Sequence, residues 1–189
     1  RTASVRWPRW CLNRSTTTRV ARATRLVALA AKLGFDALRA SNRNAWSELW
    51  KGRPLLLGAD RRWQRLVDAA FFYLHTSVHP SSLASTNIFG LAQWPNYHYY
   101  YGHVMWDIET FVFPVLLMAQ PGAAKAILDY RSQRLTAARH NAKLNGYSGI
   151  QFPWESSAAR GEESSPGLGT ASVYEHHVSL DVALAFAQY

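Results

Sequence analysis

Residues 97–118 read YHYYYGHVMWDIETFVFPVLLM, and how this stretch is read decides what the chain can build. Its first half crowds polar and aromatic side chains, and its second half is an almost unbroken apolar run. Wound as a helix, the run places Phe111, Val112, Val115 and Leu116 on one face, with Phe113, Leu117 and Met118 covering the rest. A helix apolar all round is expected inside a protein. Trp106, Asp107, Ile108 and Glu109 stand at its N-terminal end. Two readings are open there. Asp107 can be an N-cap with Glu109 an acid of the first turn, both favoured by the helix dipole. Alternatively, Trp106 is a platform for a sugar ring with a carboxylate beside it. Local pattern alone favours the cap.

Working outward, helical periodicity is expected over Arg19 to Leu33, from about Asp36 to Trp50, and after Asp60, which can cap the next helix. In that third segment Trp63, Leu66, Val67, Ala70, Phe71 and Leu74 form the clearest amphipathic stripe of the chain. Residues 79–101 have the composition of a long loop. Pro121 suits the first turn of a helix running to about Asn145, and residues 150–171 form a second long loop. A last helix is expected from near Tyr174 to the end. The sequence carries no strand run of the usual length, so the fold class is all-α.

The net charge is +9, but Arg1, Arg6, Arg9, Arg14, Arg19, Arg22 and Arg25 precede every acid, so much of the basicity belongs to one terminal segment. The aromatic-rich loops carry acids instead of a basic stripe, which argues against a nucleic-acid partner. A single cysteine, Cys11, excludes an internal disulfide and a multi-thiolate metal site, and no apolar run is long enough to cross a membrane. The histidines His98, His103, His176 and His177 lack metal-motif spacing. What remains is carboxylates at loop–helix junctions beside aromatic rings: Asp107, Glu109, Glu155, Glu162, Glu163 and Glu175, with Trp106, Trp154 and Tyr174. Such groups suit carbohydrate chemistry, where one acid protonates a leaving oxygen and ring faces stack on sugars. They also suit an ordinary core with capped helices.

Ordered motifs narrow the choice. Gly102-His103, Trp106-Asp107 and Glu109 come first; then Tyr130-Arg131, then Asn145-Gly146-Tyr147 with Gly149, then Pro153-Trp154-Glu155 and Gly161-Glu162-Glu163. Together they resemble the catalytic domain of glycoside hydrolase family 65, whose members read roughly G-H-x-F-W-D-T-E, then Y-R, then N-G-Y-x-G with P-W-E-S, then G-E-E. The resemblance implies a partial (α/α)6 barrel: an irregular basic arm over 1–15, linker helices over 16–54, and the N-terminal portion of the barrel over 55–189. It also implies that Glu175, in Glu175-His176-His177-Val178, is the general acid of an inverting reaction at an α-glucosidic bond. Trp106, Asp107, Glu109, Trp154, Glu155, His103 and His177 are the implied substrate-binding residues, with no metal and no cofactor. The implied partner is a small carbohydrate, and a homo-oligomer of the full-length protein stays open. Ile108 stands where the family usually has Thr, and residues 87–101 are unusually rich in tyrosine, both departures that bear on substrate contacts. The tail after Glu175 looks more like the trehalase-type hydrolases than the phosphorylases. The base is expected beyond Tyr189, so the isolated chain is expected to be inactive. A non-catalytic helical binding protein is the alternative from another class.

Overall fold

The computed structural model describes residues 16–90, 99–165 and 170–189. The expected irregular arm over 1–15, Tyr97 and His98 lie outside these. The chain divides into two compact units, with the boundary between Asp68 and Ala69.

In the first unit α1 (Thr16–Leu33) and α2 (Phe35–Trp50) are joined at Gly34. Gly34 takes a left-handed φ of 77° and donates its N–H to the Ala30 carbonyl, a backbone state that costs glycine nothing. Asp60 caps α3 (Arg61–Ser77): its Oδ1 accepts the Arg62 N–H at 2.7 Å, as expected. Gln64 pins the preceding extended piece, accepting the Leu56 N–H and donating to the Pro54 carbonyl.

The second unit, residues 69–189, begins within α3 and contains the candidate site. A π-helical segment (Ile108–Val112) runs into α4 (Phe113–Ala119), and α5 (Pro121–Ser132) packs against α4. Next come α6 (Leu135–Leu144), the short α7 (Thr170–Tyr174) and α8 (His177–Gln188). Ile108, Phe113, Leu116, Ala123, Ala124, Ile127, Tyr130 and Ala185 make the core with Val78 and Val104.

Four expectations are corrected. The apolar run is not buried all round: Phe111 is 63% and Met118 83% exposed, while Ile108, Phe113 and Leu116 face the core. The start of this run is also wider than an α-helix, the Phe113 N–H reaching back to the Ile108 carbonyl. Pro114 has no N–H for the Thr110 carbonyl and its ring crowds that turn, so the backbone upstream opens into the wider spacing. Asp107 sits at the N-cap position but its side chain makes no capping bond. The helix expected from Pro121 to Asn145 is two helices, broken at Gln133–Arg134. There the Arg134 guanidinium donates to the Tyr130, Ala158 and Ala159 carbonyls, and Arg134 takes φ −117° and ψ 20°. Gly161, at φ +76°, lies so close that an added Cβ would sit 2.6 Å from the Arg134 Cδ.

The structure adds what periodicity could not show. Strands β1 (Val104–Met105) and β2 (Glu155–Ser156) pair antiparallel, Val104 opposite Ser156 and Met105 opposite Glu155. Two residues are too few to show alternation, and the pairing joins the segment just after the first long loop to the second.

Candidate active site

The β-pair carries the site. His103 and Trp106 flank β1, and Trp154 precedes β2. Beneath the pair, Arg131 on α5 is almost wholly buried. Its Nε and Nη2 donate to the two Glu109 oxygens at 2.7 and 2.8 Å, Nη1 to Ser156 Oγ at 2.8 Å, and Nη2 also to the Met105 carbonyl. Burial opposes the guanidinium charge, but the Glu109 carboxylate and its hydrogen bonds outweigh that and raise the Arg131 pKa. The pair thus ties the π-helical segment to both strands. The Glu109 side chain has no exposure, and each of its oxygens accepts from Arg131, so in this structure it is a buried counter-ion.

At one end of β1, the His103 Nδ1 lies 2.7 Å from the buried Glu155 Oε1. The Tyr101 ring stands 6.3 Å from His103, and the Tyr100 ring meets the Trp154 edge at 5.9 Å and stacks on Phe89. Tyr100 and Tyr101 both take positive φ, 61° and 43°, a costly state for tyrosine that recurs in functional segments. Glu163 holds the loop after Trp154, its carboxylate accepting the Trp154, Glu155, Ser164 and Ser165 N–H groups and the Ser165 hydroxyl.

At the other end of β1, the rings of Trp106 and His177 meet edge-on with centroids 4.7 Å apart. His177 Nδ1 lies 2.6 Å from Asp181 Oδ2, and its Nε2 lies 3.3 Å from Glu175 Oε2. The chain breaks between α7 and α8 here, so Glu175 stands at a junction between helices and not within the single helix expected. Gln151 supports that junction. It donates to the Val173 carbonyl, accepts from Asn145 through its side chain, and its carbonyl accepts from Asn141. Phe152 donates its N–H to Ser179 on α8. Burial raises the Asp107 carboxyl above its ordinary 3.8; its backbone hydrogen bond and His177 pull it down, and the Asp181 charge pushes it up. Asp107 therefore lies within electrostatic reach of His177 and Asp181.

Residues 96–189 match the glycosyl hydrolase family 65 central catalytic domain. The chain belongs to glycoside hydrolase family 65. Its relatives include the kojibiose hydrolase of Flavobacterium johnsoniae, 36% identical over 88% of this chain and 24% of the relative. The protein-glucosylgalactosylhydroxylysine glucosidase of Gallus gallus is 35% identical over 84% of this chain and 23% of its own. The kojibiose phosphorylase of Escherichia coli is 32% identical over 87% and 23%. The family 65 chain thus spans about a quarter of the length of the curated relatives it matches. Among solved structures, a putative kojibiose phosphorylase from the human microbiome superposes with a TM-score of 0.77 at 23% identity, over 94% of this chain and 24% of that one. The fold is the partial α/α toroid that the resemblance implied.

In this family 65 chain the structure brings Trp106, Glu175 and His177 together, and His103 onto Glu155, while the strand register sets Trp154 across from Trp106. Glu155 is as buried as Glu109, but it reaches His103, whose side chain is 24% exposed. Sequence reasoning did not single out Asp181, although its position four residues after His177 puts both on one face of α8. Nor did it find a role for Arg131 or Glu163, whose partners lie 22 residues or a loop away. Among the described residues no group of three His, Cys, Asp or Glu side chains is placed to hold a metal.

Proposed function

We propose that the polypeptide carrying this chain cleaves an α-glucosidic bond with inversion, in a glucose-containing disaccharide or glucosyl conjugate. The observation that carries the reading is the convergence of Glu175, His177 and Trp106 on one junction, in a family whose relatives include a kojibiose hydrolase and a glucosylgalactosylhydroxylysine glucosidase. In this reading the Glu175 carboxyl gives its proton to the glycosidic oxygen, the bonding pair leaves with that oxygen, and a nucleophile enters from the opposite face. Trp106 offers a ring face to the sugar and Asp107 accepts from its hydroxyls. His103, backed by Glu155, lines the adjoining wall, and Trp154 stands across the strand pair from Trp106. The domain reading that accompanies this is a linker over 16–54 and the first part of the barrel over 55–189. The 189-residue chain by itself is expected to show no turnover, since it spans about a quarter of its relatives.

The test uses the longest natural polypeptide containing this sequence, assayed on kojibiose, trehalose and maltose with and without phosphate, beside Glu175→Gln. Phosphate-independent glucose release that falls by about a hundredfold or more in the Gln variant supports the hydrolase. Strict phosphate dependence moves the reading to a phosphorylase. A Glu175→Gln variant as active as the parent removes Glu175 as the acid.

A further inference from the structure

His177 touches both Glu175 and Asp181, one at each ring nitrogen, and its ring is braced by Trp106. An ionised carboxylate can only accept, so the short Asp181 contact requires the proton on Nδ1 of His177. That leaves Nε2 facing Glu175. Without a proton, Nε2 accepts from the Glu175 carboxyl; with one, it donates to the Glu175 carboxylate. With a proton on each ring nitrogen, His177 donates to one Glu175 oxygen throughout, and the other oxygen carries the proton that passes to the glycosidic oxygen. Glu175 needs such a partner, because it stands between two helices with its side chain 47% exposed. Asp181 suits the role of anchor: it lies one turn along α8 from His177, and its side chain is half as exposed as that of Glu175. Among the described residues, Asp107 on the turn before the π-helical segment also interacts electrostatically with the imidazole.

We propose that Asp181 and His177 are a positioning pair for Glu175, Asp181 fixing the tautomer and rotation of the imidazole so that Nε2 holds the Glu175 carboxyl in the orientation from which it reaches a glycosidic oxygen. This rests on the assignment of Glu175 as the proton donor, and the experiment separates the two. In the longest natural polypeptide, turnover of kojibiose is compared with that of α-glucosyl fluoride, whose leaving group needs no proton. Glu175→Gln should lose kojibiose turnover and keep fluoride turnover; equal loss of both, or of neither, removes Glu175 as the acid and with it the basis of the pair. Provided Glu175→Gln behaves as an acid variant, Asp181→Ala should lower the ratio of kojibiose to fluoride turnover by about tenfold or more, through kcat and with little change in KM. Asp181→Asn keeps an acceptor oxygen for Nδ1–H and should restore most of that ratio. An unchanged ratio in Asp181→Ala, or an Asn variant as impaired as Ala, overturns the pair while leaving the acid in place. Should Asp181→Ala fail to fold, the nitrogen NMR spectrum of His177 in the unaltered protein decides: a ring protonated at Nδ1 supports the pair, and one protonated at Nε2 alone overturns it.

Discussion

Replacing Arg131 by Met tests whether the buried ion pair holds the site together. The side chains of Arg131 and Glu109 are 1% and 0% exposed, so neither charge has water to fall back on. The substitution orphans four acceptor contacts: both Glu109 oxygens, Ser156 Oγ and the Met105 carbonyl. Counted singly at about 1–3 kcal/mol each these would overshoot, because Glu109 can take up a proton and the strands can relax. Breaking a buried pair from one side costs about 3–5 kcal/mol, and that is the expected loss. With an m-value of about 2 kcal/mol/M, the urea midpoint should fall by about 2 M, read by tryptophan fluorescence at unchanged m. Glu109→Gln alone should be costly too, and the double variant should lose clearly less than the sum of the two. A single Arg131→Met within about 1 kcal/mol of the parent, or strict additivity of the two changes, would refute the idea that this pair anchors the β-strands to the core.

Gly161→Ala should lower stability by about 1–3 kcal/mol in thermal melts, since φ +76° is strained for alanine and its Cβ would overlap the Arg134 stem. Asp107 carries a pH signature. Its folded pKa is raised, so its contribution to stability is full below the unfolded value near 3.8 and is lost as pH rises through the folded value. Urea midpoints between about pH 3 and 7 should therefore show Asp107→Asn gaining on the parent as pH rises, while activity on an α-glucoside falls. His75 has the opposite sense: burial lowers its pKa below 6.5, only partly offset by its bond to Gln120. Stability tied to it is present above that value and lost as pH falls through the folded pKa, so His75→Gln should remove part of the acid slope below about pH 6.5.

Much of the helical layout was legible because its causes are local. Gly34 ends α1, Asp60 caps α3 and Pro121 opens α5, each through the conformation or hydrogen bonding of one residue and its neighbours. The motifs around Trp106, Trp154 and Glu175 were legible as those of a family. What could not be read is what depends on distant partners. Arg134 breaks a helix because three carbonyls, two of them more than 20 residues away, want its guanidinium. Phe111 and Met118 are as apolar as Phe113 and Leu116, and only the placement of α5 and the β-pair separates the exposed pair from the buried one.

The same division runs through the site. By itself the sequence determined that α-helices would dominate, that acids and aromatic rings would gather at helix ends, and which family the chain belongs to; periodicity, caps and motif order are properties of neighbouring residues. Only the tertiary structure decided that Glu109 is a counter-ion to Arg131, that His103 answers to Glu155, and that His177 stands between Glu175 and Asp181. A carboxylate's role depends on its solvent and its partner, and for Glu109 and Glu155 both are set by chain segments more than 20 residues away.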